Sequence, residues 1–203
     1  LIKKLGSKYD LSEFLIFVLL ASVCDVMPLR KLNRIIAINV LKNFDIKKNI
    51  SFNSLFDLSN KIKKIDINNL SFFIGPIINS GGRLGKSSYG TELLTSDDIN
   101  IVSKKSVQLI KLNNQRKIIE SNILDEINFD KIQKNNENVI IYYNPNINEG
   151  LIGIIAARLK DYFNKPSIVI TKSNYYLKGS ARSTINYNIG HVVKRLLDKK
   201  IIN

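Results

Sequence analysis

The longest periodic stretch of the sequence is a run of about thirty residues that begins near Thr95. Apolar side chains recur there at helical spacing on one broad face. They are Val102, Leu109, Leu112, Ile119, Ile123 and Ile127. Ser96 or Asp97 is suited to cap the first turn. A helix of this length extends roughly 45 Å, which is too long for one compact core. It predicts a connector between two lobes.

The residues before this helix predict further helices. Residues 11–23 and 31–42 are expected to be helical, with Pro28 between them, and the second carries Ile35, Ile38 and Leu41 on one face. Short helices are expected at 54–64 and 68–73. Residues 74–89 concentrate Gly, Pro and Ser without a sustained period, which predicts a loop.

The residues after the long helix follow an α/β pattern. Residues 139–143 and 167–171 form short apolar runs, and residues 150–163 between them form an amphipathic helix. This order predicts a βαβ unit with parallel strands, the first of them buried on both faces. A third strand is expected at 175–183, after a turn at 172–174, and a last helix at 189–199.

Composition limits the class of protein. With 203 residues, 44% apolar residues and a single cysteine, disordered and disulfide-stapled chains are excluded. The apolar run from Phe14 to Val23 is about half of the ~20 residues that a bilayer span needs, so we expect no membrane segment. The lone Cys24 favours a buried thiol in a reducing, cytoplasmic protein. Because the chain opens on Leu1 rather than Met and stops at Asn203 without an obvious terminal structure, we expect it to continue beyond both ends.

The net charge of +14 permits nucleic-acid binding. The abundance of Lys, Ile and Asn is equally typical of an AT-rich genome, so charge alone favours nucleic acid only slightly. Residues 80–87 end in Gly-Lys-Ser, as a phosphate-binding P-loop does, but Ser80 stands where that motif requires Gly. Arg83 and Lys86 still make this segment suitable for an anion.

Three other features have two interpretations each. The segment 178–183, Lys-Gly-Ser-Ala-Arg-Ser, suits a phosphate clamp or a solvated strand equally well. Asp25 follows the most apolar helix and is either a turn former or a metal ligand, although one carboxylate alone binds a divalent ion poorly. His191 lacks a partner at metal-ligand spacing and is interpreted as a surface or capping residue.

Taken together, the motifs resemble the RecJ family of single-strand-specific DNA exonucleases, within the DHH phosphoesterase superfamily. The matching segments, in family order, are ASVCDVMPL at 21–29, IGPIINSGGRLG at 74–85, ELLTSDD at 92–98, LNNQRKIIE at 112–120, EGLIGIIAARL at 149–159 and KGSARS at 178–183. Together they span nearly the whole chain, from residue 21 to residue 183.

The resemblance implies an α/β fold with the end of a DHH phosphoesterase lobe at 1–48, a connecting region with the long helix at 49–132, and a βαβ-containing DHH-associated lobe at 133–203. It implies 5′-to-3′ hydrolysis of single-stranded DNA with Mn²⁺ or Mg²⁺, in DNA repair and recombination. By position, Asp25 would be a catalytic metal ligand, Asn79 and Arg83 would meet the DNA, and Ser180 and Arg182 would hold its backbone. We expect a basic groove lined by Arg83, Lys86 and Arg182.

The sequence also departs from the family. The other metal ligands, including the Asp-His-His motif, are expected upstream of Leu1, so the chain alone should be inactive and its partner would be the missing N-terminal half. Ile77 replaces an Arg of the family, and Asn148 replaces a His. Two alternatives remain. One is a non-catalytic module that binds single strands through Tyr175, Tyr176 and charge. The other is a different DHH phosphoesterase acting on nanoRNA or small nucleotides, which the 178–183 segment and the long-helix motifs disfavour.

Overall fold

The computed structural model of the protein describes residues 11–135 and 137–201. The outer limits of the expected domains 1–48 and 133–203 therefore lie outside the described residues, as does residue 136. The chain divides into two compact units, Leu1–Asn113 and Asn114–Asn203. The division falls within one long helix, Ile99–Glu126. The mixed α/β fold class is confirmed.

The first unit is helical throughout its described part. Its helices are α1 (Leu15–Cys24), α2 (Lys31–Asn43), α3 (Ile50–Leu58), α4 (Gly75–Arg83), α5 (Ser88–Thr95) and the first half of α6 (Ile99–Glu126). Single 3₁₀ turns lie at Ser12–Phe14 and Ile46–Lys48. A short helical turn (Ile67–Asn69) and a π-helical turn (Leu70–Ile74) lead directly into α4.

The core of this unit is aromatic and aliphatic. Phe52 and Phe56 of α3 are fully buried, and Phe56 packs edge-on against Phe73 at a centroid distance of 5.2 Å. Leu93 and Leu109 extend the same core to α5 and α6. The hydroxyls of Ser22, Ser51 and Ser80 donate to backbone carbonyls, which satisfies groups that would otherwise be costly to bury.

The prediction of a loop over 74–89 is wrong for its first half, because α4 occupies Gly75–Arg83. Pro76 lies in the first turn, where a missing N–H costs nothing. Ser80 donates to the carbonyls of Ile77, at 2.6 Å, and of Leu109, at 3.1 Å, which fixes the helix on α6. Composition predicted a loop, whereas close packing stabilises a helix.

The apolar face expected on α2 points away from the core of the first unit. Ala37 and Val40 are buried, whereas Ile35, Ile38 and Leu41 are exposed. The helix therefore carries apolar residues on both sides. Periodicity locates an apolar face but does not say which of two faces a neighbouring element covers.

The 28 residues of α6 confirm the predicted long helix. Its cap differs from the expectation: Asp98, and not Ser96 or Asp97, accepts a hydrogen bond from the backbone N–H of Asn100 at 2.7 Å. In the described part of the chain, no helix combines the length and the apolar character that a membrane crossing requires.

The second unit contains the rest of α6, α7 (Phe129–Asn135), β1 (Ile140–Tyr143), α8 (Ile152–Phe163), β2 (Ser167–Ser173), β3 (Tyr176–Arg182) and α9 (Ile189–Asp198). The strands form one sheet in the order β1-β2-β3. β1 and β2 are parallel, which confirms the predicted βαβ unit, and β2 and β3 form an antiparallel hairpin. Asn174 provides the left-handed residue of its turn, with φ 49°.

The core of the second unit lies between the sheet and α8. Leu151, Ile155 and Leu159 are fully buried, together with Val169 of β2. β1 is not buried on both faces as expected, since Ile140 is buried and Ile141 is exposed. Because β1 is an edge strand of a three-stranded sheet with α8 against one face, its burial alternates.

Two adjacent glycines of α4 should respond oppositely to alanine. A Cβ at Gly81 would lie 2.6 Å from the backbone oxygen of Lys86, whereas a Cβ at Gly82 meets no atom within 4 Å. Gly81→Ala should therefore lower the free energy of unfolding by about 2 kcal/mol, and Gly82→Ala should leave it unchanged or raise it by up to about 1 kcal/mol. Urea unfolding of both variants measures this difference, and equal effects would contradict the packing described here.

Candidate functional site

Polar side chains of β3 line up on the sheet face that α8 covers. In the antiparallel register, Lys178 pairs with Thr171, Ser180 with Val169 and Arg182 with Ser167. Alternate residues of a strand share a face. Val169, Thr171 and Ser167 are all buried, so the three β3 side chains extend on the same side as α8.

The first turn of α8 meets this row at a glycine. The Nε of Arg182 donates to the carbonyl oxygen of Gly153 at 3.1 Å. A Cβ at position 153 would lie 3.0 Å from Nη2 of Arg182 and 3.1 Å from Oγ of Ser180. The absence of a side chain at Gly153 therefore lets a guanidinium and a hydroxyl approach the helix backbone closely.

This arrangement is suited to an oxyanion. No side chain caps the N-terminus of α8, and the N-terminus of a helix carries a partial positive charge. Arg182 is exposed and provides a planar donor that matches phosphate oxygens.

Local polar contacts fix the residues that directly precede α8. Asn148 accepts a hydrogen bond from the backbone N–H of Gly150 at 2.8 Å, so this departure from the family pattern acts as a turn former. Glu149 bonds Lys178 at 2.7 Å. Lys178 and a hydrogen bond from Ser173 hold the pKa of the Glu149 carboxyl below its ordinary value of 4.5.

A buried carboxylate ties α8 to the second half of α6. Glu120 accepts from Nη1 of Arg116 at 2.7 Å and from Nε of Arg158 at 2.8 Å. Its side chain is only 8% exposed, and a buried carboxylate is tolerated when it is paired on both oxygens. Arg158 lies in the middle of α8, so this contact fixes the helix whose first turn meets Arg182.

In the first unit, Asp25 ends α1 in a Schellman motif. The N–H of Met27 donates to the carbonyl of Ser22 at 2.8 Å, and that of Val26 donates to Val23 at 3.2 Å. Val26 adopts the left-handed conformation with φ 53°, which glycine usually provides at this position. For a β-branched residue that conformation is strained.

The Asp25 carboxylate does not stabilise α1. A negative charge at a helix C-terminus opposes the helix dipole. Asp25 is exposed, and within residues 11–135 and 137–201 no cation lies close enough to form an ion pair with it. The neighbouring Cys24 is half-buried against Gly75, and burial raises the pKa of its thiol, with the charge of Asp25 adding to the rise.

The residues around Asp25 do not fit a divalent metal ion. Among the described residues, no group of three or more His, Cys, Asp or Glu side chains could hold one. Hard cations need several oxygen ligands, and Asp25 provides one carboxylate. His191 is exposed at the start of α9, which agrees with a surface position.

Asn79 and Arg83 lie one turn apart on α4 and so share a face. Asn79 is exposed and, with Phe14, Phe17 and Gly82, lines a cavity of about 1020 Å³ in the first unit. Ile77, which departs from the family pattern, is buried in the core of that unit.

Of the five predicted site residues, three lie in the first unit and two in the second: Asp25, Asn79 and Arg83, and Ser180 and Arg182. Ser180 and Arg182 lie together, and Asn79 and Arg83 share a helix face. Sequence reasoning did not identify Gly153 as the contact of Ser180 and Arg182. It also did not identify Glu120, which binds Arg158 and so fixes α8 on α6. The small-residue pattern of 150–157 was the available signal for Gly153, while no local pattern identifies Glu120.

The ion pair of Glu149 gives a pH-dependent prediction. A carboxyl whose pKa is lowered in the folded state adds stability above its ordinary pKa, and this contribution is lost as the pH falls through the folded-state value. Lys178→Ala should raise the pKa of Glu149 toward 4.5 in a carboxyl-carbon NMR titration. Lys172→Ala is the control, because Lys172 alternates to the opposite sheet face. An unchanged pKa in Lys178→Ala would contradict the pairing.

Comparison with known proteins agrees with these observations. Residues 136–200 match the model of the DHHA1 domain. The chain is 31% identical over 195 residues to the single-stranded-DNA-specific exonuclease RecJ of Haemophilus influenzae and 30% identical to that of Escherichia coli. Both alignments cover 92% of this chain and 34% of the relative, so the chain spans about a third of the length of these relatives.

The fold is also found in solved structures. The crystal structure of Thermus thermophilus RecJ in complex with Mg²⁺ superimposes with a TM-score of 0.77 at 22% identity, covering 92% of this chain and 29% of that one. A structure of exonuclease RecJ bound to manganese gives 0.70 at 22% identity, with 90% and 46% coverage. The chain is therefore similar to RecJ exonucleases over about a third of their length, and its residues 136–200 match the DHHA1 domain.

Proposed function

We propose that this chain is the part of a RecJ-like single-stranded-DNA exonuclease that binds the sugar–phosphate backbone of the DNA. The observation that carries the proposal is the packing of Arg182 and Ser180 against Gly153 in the first turn of α8. A guanidinium, a hydroxyl and an uncapped helix N-terminus converge there, and each favours a phosphate oxygen.

Asn79 and Arg83 would contact the strand from the first unit. Their spacing on α4 presents an amide and a guanidinium on one helix face, and such contacts hold a backbone without reading its sequence. The net charge of +14 supports the same class of ligand, since release of counterions favours binding of a polyanion.

Hydrolysis would belong to the complete enzyme and not to this chain alone. The two RecJ structures contain Mg²⁺ or manganese, and we propose a divalent ion for the complete protein. Asp25 would be one of several ligands. Because the described residues lack the others, the N-terminal part of a RecJ-like enzyme is the proposed partner.

Binding of DNA can be tested with a pair of arginine variants. Arg182→Ala should weaken binding of a 5′-phosphorylated single strand by about tenfold, the effect of one charge-assisted hydrogen bond, and should reduce the salt slope by about 0.7. Arg195→Ala removes the same charge from an exposed position on α9 and controls for net charge. Fluorescence anisotropy at several salt concentrations measures both. Equal losses in the two variants would contradict a specific role for Arg182.

The catalytic part of the proposal needs the complete coding sequence around the codon of Leu1. With Mn²⁺, its product should degrade single-stranded DNA from the 5′ end, the 203-residue chain should not, and Asp25→Ala should reduce the rate at least 1000-fold. Asp198→Ala, an exposed aspartate at the end of α9, should retain activity. A fully active Asp25→Ala enzyme would contradict the role of Asp25.

A second candidate function is a non-catalytic module that binds single strands. Tyr175 is 96% exposed and Tyr176 is 77% exposed at the turn of the β2–β3 hairpin, where the rings are available for stacking on bases. Salt-dependent binding without cleavage by the complete gene product would favour this function over the exonuclease.

A further inference from the structure

Lys178 lies in the same row of β3 side chains as Ser180 and Arg182. It pairs with Thr171 of β2, and the two other members of the row follow at alternate positions of the strand. Alternate residues share one face of a strand and lie about 6.6 Å apart along it. Lys178 therefore adds a second cation to the row, at the end opposite to Arg182.

An exposed carboxylate holds this second cation. The Nζ of Lys178 donates to Oε2 of Glu149 at 2.7 Å. The side chain of Lys178 is 57% exposed and that of Glu149 is 39% exposed. Because water competes for both charges, an exposed ion pair of this kind stabilises a fold only slightly. The pair therefore opens at a small cost when another anion binds the lysine.

Glu149 is placed to compete with a phosphate. It precedes the first turn of α8, where the helix dipole favours a negative charge. The hydrogen bonds from Lys178 and Ser173 lower the pKa of its carboxyl below 4.5, so the carboxylate is negatively charged at neutral pH. A phosphate that approaches the same helix terminus has the same sign of charge and is attracted by the same lysine.

We propose that Lys178 is a further contact of the single strand, which binds the phosphate next to the one at Arg182, and that Glu149 holds Lys178 until the strand displaces it. This inference rests on the proposed function. The ammonium group of a lysine sits on a flexible stem and turns readily from a carboxylate to a phosphate oxygen. Arg182, in contrast, is fixed by its hydrogen bond to Gly153.

The exchange gives the site a preference for polymers. A free phosphate or a mononucleotide engages Arg182 and Ser180 but offers no second phosphate to Lys178, so Glu149 keeps its partner and its negative charge opposes the ligand. A strand offers two successive phosphates and releases Lys178 from Glu149. Backbone contacts of this kind do not depend on the base sequence.

The test uses two short 5′-phosphorylated single strands and the full chain, titrated by fluorescence anisotropy. One strand is unmodified, and the other carries a neutral methylphosphonate in place of its first internucleotide phosphate. Lys178→Ala should weaken binding of the unmodified strand about threefold, because the lost contact is partly offset by the ion pair that no longer has to open. It should leave the affinity for the modified strand unchanged.

Lys172→Ala is the matched control. It removes the same charge from the same hairpin, but Lys172 alternates to the opposite face of the sheet. It should therefore affect the two strands equally. Thermal unfolding establishes that each variant is folded.

The role of Glu149 is tested by a second pair of variants. Glu149→Gln should raise the affinity for the unmodified strand about fivefold, since an exposed ion pair no longer competes. In the Lys178→Ala background the same change should raise it less than half as much, because only the repulsion between Glu149 and the phosphate is then removed. An equal gain in the two backgrounds would overturn the exchange.

The remaining outcomes separate this inference from the proposed function. Equal weakening of the two strands by Lys178→Ala, or no weakening of either, would overturn the contact of Lys178 with the neighbouring phosphate. Arg182→Ala, measured in the same titrations, should weaken both strands. If it weakens neither, the proposed function fails, whereas a loss in Arg182→Ala without any in Lys178→Ala overturns the present inference alone.

Discussion

The long helix α6 is the constraint on which both units depend. Its first half contributes Val102 and Leu109 to the core of the first unit, and its second half contributes Ile123 to the core of the second. One unbroken helix therefore has to satisfy two separate cores. The polar contacts of the helix are also divided between the two units. The carbonyl of Leu109 accepts from Ser80 in the first unit, and Glu120 binds Arg158 in the second.

Close backbone approach is the second feature that the candidate site needs. Gly81 leaves room for the carbonyl of Lys86, and Gly153 leaves room for Arg182 and Ser180. In both places the missing side chain is replaced by a polar group of another segment. At the candidate site, the small residue Gly153 allows the close approach. Arg182, which would bind a phosphate, extends from β3 in the second unit.

Much of the architecture could be predicted from residue patterns. The long helix, the βαβ unit and the final helix α9 were predicted near their observed limits, because apolar spacing and turn residues are local properties. The helix at Gly75–Arg83 could not be predicted, since Ser80 stabilises it by bonding Leu109, twenty-nine residues away. The single-sided burial of β1 likewise depends on its edge position in the sheet.

For the candidate site, the sequence by itself determined which residue types were available: Asp25, Asn79 and Arg83, and the Ser180–Arg182 pair. The tertiary structure alone decided that Ser180 and Arg182 meet the first turn of α8, because strand register and helix packing bring residues 153 and 182 together. It also decided that Ile35 and Ile38 face outward. Periodicity defines the faces of a helix, but only the packing of the neighbouring elements determines which face is buried.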